Sequence, residues 1–273
     1  MKTILVPTDF SSPAKNAAYY AAHLAGEFQS KLILLNVYSL PAGGVDNLSS
    51  IDMLSDLERY SKKGLDELKE ILSSVKGIGE IICISRMGIA RTVISIVARE
   101  HSVDGIVMGI TGGASKIKEK VIGSTTLDIA REGNEPLFIV PEGIEYHKIQ
   151  KMSFACDIDN LQGSRVLENI KDFSISFNSK LEVVNIEKPS PEEDPLRIRN
   201  YNFMESNLEE VKHETVVLTR ENSQETLLDY FENHQTDLLI LNPKKHNFIQ
   251  SLFHKSMTKR MIFHLKVPML ILR

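Results

Sequence analysis

The sequence has little cysteine, no long apolar run and no excess of positive charge. Cys83 and Cys156 are the only cysteines among 273 residues, and each lies in an apolar, strand-like stretch. We therefore expect buried, unpaired thiols, which fit a reducing cytosol. No run approaches the roughly 18 apolar residues of a membrane span. A formal net charge of -4 gives no basic footprint for binding nucleic acid.

The beginning of the chain, MKTILVPTDF, has too few apolar residues for the core of a signal peptide, so it predicts a strand. These absences favour a cytoplasmic protein without membrane or nucleic-acid partners. The length of 273 residues suggests one large domain or two of ordinary size, at about 150 residues each.

Short apolar runs alternate with amphipathic segments through the first half of the chain. A helix is expected to start at Ser11-Ser12-Pro13, with serine as its cap and proline in its first turn. The other predicted helices cover 51–75, 89–101 and 124–131. The predicted strands cover 3–6, 32–37, 80–84, 104–108 and 137–141. This alternation predicts an α/β fold with a parallel, doubly wound sheet.

The pattern begins again after 143–150. The run at 152–157 matches the first strand, and Asp157 takes the place of Asp9 at its end. Further strands are expected at 180–186, 215–218, 237–241 and 266–272, with helices at 161–177, 197–211 and 224–234. A repeat of this size predicts two tandem copies of one five-stranded unit. We expect the domains to cover 1–145 and 146–273.

The stretch GITGGASKIKEKVIGS, from Gly109 to Ser124, lies between the fourth strand and a helix. Glycines allow the backbone to approach a ligand closely, and a helix N-terminus suits phosphate. Lys116, Lys118 and Lys120 add charge, although a solvated run is the alternative for them. The spacing is neither that of a P-loop nor GxGxxG. From spacing alone, phosphate binding and a flexible connection both stay open.

Three features together resemble the universal stress protein family in its tandem form: the strand end Val6-Pro7-Thr8-Asp9, the glycine loop and the duplication. Family members that bind ATP carry G-x2-G-x9-G-[ST] in this loop. The loop here is one residue longer than that pattern. Gly109 and Gly112 satisfy G-x2-G, whereas Gly113, Gly123 and Ser124 satisfy G-x9-G-S.

The resemblance implies strand order 3-2-1-4-5 and a site for an adenine nucleotide, ATP or AMP, with Mg²⁺ compatible with ATP. It implies that Asp9 contacts the adenosine part and that Pro7, Thr8 and Val37 line the adenine site. A carboxylate at this strand end is also placed to accept from ribose hydroxyls. The expected nucleotide-binding residues are Pro7, Thr8, Asp9, Val37, Met108, Gly109, Gly112, Gly113, Gly123, Ser124 and Thr125.

Two of these residues have simpler alternatives. Asp9 would serve equally as a cap of the first helix, and Thr125 would cap the fourth helix or donate to phosphate.

The second copy lacks the glycines of the first. Asn242, Lys245 and Lys255 stand where glycine is required, while Ser256 and Asp157 are kept. A side chain at the position of Gly123 would fill the space that phosphates need. The second half is therefore expected to be a structural or regulatory partner, and binding of another anion by its basic loop is the alternative. Its histidines lack metal-site spacing, so no metal site is expected.

The leading hypothesis from the resemblance is a non-enzymatic, adenine-nucleotide-binding protein of the stress response, with an unknown protein partner and no catalytic residue. That hypothesis allows slow ATP hydrolysis at most. One alternative is an enzyme with weak ATP hydrolysis or adenylyl-transfer activity, related to the ATP pyrophosphatases or adenylyltransferases. The SGGxDS or HxGH motifs of those enzymes are absent at 7–11. The other alternative is an interaction module with vestigial pockets.

The last strand of each half is an apolar edge that needs cover. Antiparallel pairing of 137–140 with 269–272 would pack the halves as an intramolecular pseudo-dimer, as in family dimers. The sequence leaves further self-association open.

Overall fold

The structure is a computed structural model that describes residues 1–40, 49–111, 124–156, 158, 161, 165–187, 194–219, 223–242 and 266–273. The chain divides into two compact units, Met1–Tyr146 (unit 1) and His147–Arg273 (unit 2).

Unit 1 alternates strands and helices throughout its described residues. In chain order its elements are β1 (Thr3–Pro7), α1 (Ser12–Phe28), β2 (Lys31–Tyr38), α2 (Ser49–Leu72), β3 (Ile81–Met87), α3 (Ala90–Glu100), β4 (Gly105–Ile110), α4 (Ser124–Glu132) and β5 (Leu137–Pro141). All pairings are parallel, in the order β3-β2-β1-β4-β5. The order reverses between β1 and β4, and such a switch point leaves a crevice at the carboxyl ends of the two strands.

Unit 2 repeats this topology. Its described elements are β6 (Lys151–Cys156), α5 (Val166–Phe177), β7 (Lys180–Glu187), α6 (Pro195–Leu208), β8 (His213–Thr219), α7 (Ser223–Asn233), β9 (Leu238–Leu241) and β10 (Met269–Ile271). The parallel order β8-β7-β6-β9-β10 is again 3-2-1-4-5 within the unit. The α/β class and the parallel pairing of strands within each unit are thus confirmed, whereas the pseudo-dimer packing stays a prediction.

The same carboxylate contact occurs in both units. Asp104 precedes β4, and its Oδ2 accepts from the N–H groups of Lys2 and Thr3 at 2.6 and 2.8 Å. Asp237 precedes β9 and accepts from the N–H groups of Lys151 and the residue before it, both at 2.8 Å. Each aspartate therefore accepts hydrogen bonds from N–H groups at the beginning of the neighbouring strand, where the backbone donors need partners.

Helix α1 lies close on the sheet because its buried face consists largely of alanine. It packs against β1, β4 and β5. The stripe of small residues along this helix is buried at every position: Ala14, Ala17, Ala18, Ala21, Ala22 and Ala25. Small side chains keep the helix backbone near the strands. The first turn of α1 therefore lies close to the ends of the strands, beside the crevice.

Several element ends differ from the sequence prediction. Strand β3 continues to Met87 instead of ending at Ile84, because it stays in register with β2 as far as Tyr38. Its length follows its partner strand and not its apolar run alone. Helix α5 begins at Val166 and not at 161, since buried Leu161 lies outside the helix. Helix α2 covers Ser49–Leu72 where 51–75 was expected.

Unit 2 has a buried ion pair in its sheet where unit 1 is apolar. Glu182 on β7 is 3% exposed. Its carboxylate accepts from Ser153 Oγ at 3.0 Å and pairs with Lys151 Nζ at 2.6 Å. Ser153 and Glu182 are register partners, and the corresponding partners in unit 1 are Leu5 and Ile33. Removing one member of such a pair leaves a buried charge without compensation.

Replacing Lys151 with Met should therefore destabilise unit 2 by about 2 kcal/mol, less than for a fully buried pair because the ammonium is partly solvated. Hydrogen exchange at the amides of β6 and β7 measures the effect in unit 2 itself. The control is the double variant Ser153→Leu/Glu182→Ile, which copies unit 1 and should exchange no faster than the wild type. Unchanged exchange in Lys151→Met would show that the pair contributes nothing.

Candidate functional site

A cavity of about 360 Å³ lies at the carboxyl ends of β1 and β4 in unit 1. The turn between β1 and α1, strand β2, the start of α3, the end of β4 and the start of α4 all contribute to it. The lining residues are Pro7, Thr8, Asp9, Ser11, Pro13, Ala14, Leu35, Val37, Ala90, Ile94, Met108, Gly109, Ile110, Thr111, Thr125 and Thr126.

The cavity brings together most of the site residues expected from the sequence. Those that line it are Pro7, Thr8, Asp9, Val37, Met108, Gly109 and Thr125. Ser124 is the first residue of α4. The other three, Gly112, Gly113 and Gly123, lie outside the described residues. Contact of any of these residues with a nucleotide stays a prediction.

The turn between β1 and α1 is held by its own side chains. The Thr8 N–H donates to the Leu35 carbonyl at 2.8 Å, and Thr8 Oγ1 accepts from the Phe10 N–H at 3.0 Å. Asp9 Oδ1 accepts from the N–H of Ser11 at 3.0 Å and from its Oγ at 2.5 Å. These bonds fix the direction of the Asp9 carboxylate at the rim of the cavity.

The predicted serine cap of α1 is confirmed in position, but the serine hydroxyl does not cap the helix. Ser11 occupies the N-cap position but makes no side-chain capping bond, because its hydroxyl donates to Asp9. The hydrogen bonds that Asp9 accepts come from Ser11, which precedes the first helical residue Ser12. The carboxylate therefore orders the turn in front of the helix. These contacts do not support the alternative that Asp9 caps α1.

Asn36 is a residue of the site region that the sequence reasoning missed. It is buried in the apolar strand β2, and its Nδ2 donates to the Thr8 carbonyl at 2.7 Å. The bond fastens the residue before Asp9 to the neighbouring strand. Asn185 holds the corresponding place in unit 2, where its Oδ1 accepts from the Ile158 N–H. A lone amide in an apolar strand was the available signal, since a buried amide needs a partner.

Gly109 has a packing role that the loop pattern did not indicate. A Cβ on Gly109 would lie 2.1 Å from the carbonyl oxygen of Pro13. No side chain fits there while the first turn of α1 keeps its place. The glycine thus lets the end of β4 and the beginning of α1 meet at the cavity floor.

Unit 2 has a larger residue at the position of Gly109, and its helix α5 begins later after the first strand than α1 does in unit 1. Asn242 follows β9 where Gly109 stands in β4. Helix α5 begins at Val166, nine residues after Asp157, whereas α1 begins three residues after Asp9. Among the described residues of unit 2, no α-helix begins as soon after the first strand as α1 does in unit 1.

The lining of the cavity suits a ligand with an apolar ring and several hydroxyl or anionic groups. Leu35, Val37 and Ile94 give it an apolar wall, and its threonines supply hydroxyl groups. Asp9 is the one ionisable side chain among the described lining residues. Helices α1 and α4 both begin here, and helix N-termini favour anions. An apolar cavity with a few convergent polar groups is typical of a small-molecule site.

Two further searches cover only the part of the chain that the structure describes. None of its helices combines the length and the apolar character that crossing a membrane requires. No three His, Cys, Asp or Glu side chains in it are grouped as metal ligands.

Known proteins resemble the chain over one unit or over both. The model of the Universal stress protein family matches residues 1–141. A universal stress protein of Synechocystis sp. is 24% identical over 294 aligned residues, covering 100% of both chains. A second one from Synechocystis is 35% identical over 140 residues, covering 51% of this chain and 85% of the relative. The crystal structure of a universal stress protein from Archaeoglobus fulgidus superposes with a TM-score of 0.75 and 18% identity, covering 99% of this chain and 98% of that one.

The family match covers more than half of the residues, and it includes every element that lines the cavity. The chain therefore belongs to the universal stress protein family. The full-length similarity to the first relative and the two units of the fold fit the tandem form of that family.

Replacing Gly109 with Ala should destabilise unit 1 by about 3 kcal/mol, because the obstructing atoms belong to the backbone and cannot rotate away. Pulse proteolysis in urea, with detection of unit 1 peptides, measures this loss. Gly105→Ala in the same strand is the matched control and should destabilise unit 1 clearly less, because only side-chain atoms have to shift. Its Cβ would meet side-chain atoms of Met1 and Phe138 at 3.2 and 3.3 Å. Equal stability of the two variants would contradict the packing role of Gly109.

Proposed function

We propose that unit 1 binds one adenine nucleotide, ATP or AMP, and that the protein acts as a nucleotide-dependent regulator in the stress response. The observation that carries the proposal is the cavity at the switch point. There Asp9 at the end of β1, Gly109 in β4 and Thr125 at the start of α4 border one space. A cytoplasmic location and a protein partner belong to the same proposal.

The size and the lining of the cavity support this ligand. Its volume of about 360 Å³ lies within the range of about 300–1,000 Å³ for small-molecule sites. Adenine would lie against Val37, and Asp9 would accept from the ribose hydroxyls. The phosphates would lie at the start of α4, where Thr125 offers a hydroxyl and the helix dipole favours negative charge. Mg²⁺ would be held mainly by the phosphates of ATP.

The proposed role is binding without catalysis. Asp9 already accepts two hydrogen bonds from Ser11, and the other described lining residues offer no ionisable side chain as a general base. Incubation with ATP and Mg²⁺ followed by product analysis tests this part. Rapid formation of ADP or AMP would favour the enzyme alternative.

We further propose that unit 2 binds no nucleotide and serves a structural or regulatory role. Asn242 replaces Gly109 in a unit whose first helix begins later. Lys245 and Lys255 stand where the family pattern has glycine. An exposed lysine gains only about 1 kcal/mol or less from a phosphate charge. Side-chain bulk excludes the contact at about 2.9 Å that N–H donation requires.

Calorimetric titration of the full chain with ATP and with AMP should therefore give a stoichiometry near one. Gly123→Lys, which copies Lys255, should abolish binding because the side chain would fill the phosphate space. Lys255→Gly is the matched control and should leave the stoichiometry unchanged. A stoichiometry near two, or undiminished affinity of Gly123→Lys, would refute the asymmetry.

Replacing Asp9 with Asn should weaken ATP binding about tenfold, because the hydrogen bonds from ribose would no longer be made to a charged acceptor. The asparagine oxygen can still accept from the Ser11 N–H, so the turn should be kept. The affinity for 2′,3′-dideoxy-ATP should change much less, since that ligand lacks both hydroxyls. Equal losses for the two ligands would mean that Asp9 does not contact the ribose.

A further inference from the structure

The residue after Asp9 has an unusual backbone conformation. Phe10 has a φ of 62°, in the left-handed region that residues with a Cβ seldom adopt, and bulky residues least of all. Such a conformation persists only where the surrounding structure holds it. At this position it sets the direction in which the chain leaves Asp9.

The side chain of Phe10 packs against helix α2. A Cβ added to Gly64 would lie 2.7 Å from Cζ, 2.8 Å from Cε2 and 3.0 Å from Cε1 of Phe10. The tip of the phenyl ring therefore occupies the space that any side chain at 64 would need. Glycine inside a helix is unfavourable relative to alanine, so its presence in α2 calls for such a packing reason.

The ring contact and the carboxylate belong to neighbouring residues of the same turn. Phe10 reaches α2, whereas Asp9 lines the cavity. The Phe10 N–H donates to Thr8 Oγ1, and Asn36 holds the Thr8 carbonyl. The Thr8 carbonyl is thereby fastened to β2, while the Phe10 N–H is held within the turn and the Phe10 ring lies against α2.

We propose that Phe10 and Gly64 form a positioning latch for Asp9. The seat of the ring on α2 keeps Phe10 in the left-handed conformation, which in turn holds the carboxylate where it accepts from the ribose hydroxyls. The latch rests on the proposed nucleotide site of unit 1. Phe10 and Gly64 themselves are positioning residues and need not touch the nucleotide.

Replacing Gly64 with Ala should push the ring from its seat and lower the affinity for ATP about tenfold, as expected for the loss of a hydrogen bond to a charged group. The affinity for 2′,3′-dideoxy-ATP should change less than about twofold, because that ligand has no ribose hydroxyls for Asp9 to bind. Alanine favours a helix more than glycine does, so weakening of α2 would not explain the loss. Circular dichroism and the thermal midpoint check that the variant is folded.

A compensating variant tests whether the contact itself is responsible. Phe10→Leu removes the ring tip that meets position 64, so Gly64→Ala should cost far less ATP affinity in the Phe10→Leu background. Residues in direct contact show this kind of non-additivity. Additive effects of the two substitutions would overturn the latch.

The outcomes separate the latch from the proposed function. ATP binding by the wild type, with either unchanged ATP affinity in Gly64→Ala or equal losses for ATP and its dideoxy analogue, overturns the latch alone. No binding of ATP or AMP by the wild type overturns the proposed function, and the latch with it. A loss confined to ATP, together with little further loss from Gly64→Ala in the Phe10→Leu background, supports both.

Discussion

The meeting of Gly109 with Pro13 is the constraint on which the site of unit 1 depends. A Cβ at 109 would lie 2.1 Å from a backbone oxygen. The start of α1 can therefore approach the end of β4 this closely only if residue 109 is glycine. The alanine face of α1 permits the same close approach along the sheet. Strand order then places β1 beside β4, and the cavity forms where their carboxyl ends and the two helix starts meet.

Much of this arrangement could be predicted from the sequence. Alternating apolar runs define the elements, and parallel strands present all their carboxyl ends at one edge, so Asp9 and Gly109 had to lie near each other. The contacts that orient the site could not be predicted, because they join residues distant in sequence. Asn36 reaches the Thr8 carbonyl, and the ring of Phe10 meets Gly64. Hydrophobic periodicity carries no information on such pairs.

The two units show which parts of the repeat are kept and which have changed. Asp104 and Asp237 make the same bonds to the neighbouring strand, so this contact belongs to the fold. Gly109 and Asn242 differ at the crevice, and the helix starts differ with them. The divergence thus includes the place where the proposed nucleotide would be held, as expected if one unit binds and the other has a different role.

Hydrogen exchange of the full chain with and without ATP will show whether one nucleotide occupies the crevice of unit 1. We expect slower exchange at the amides of 8–11, 109–111 and 124–126, where the turn, the end of β4 and the start of α4 border the cavity. Exchange at the corresponding positions 156–159 and 242 of unit 2 should not change. Protection at those unit 2 positions, or its absence from the three segments of unit 1, would mean that the nucleotide does not bind in the crevice of unit 1 alone.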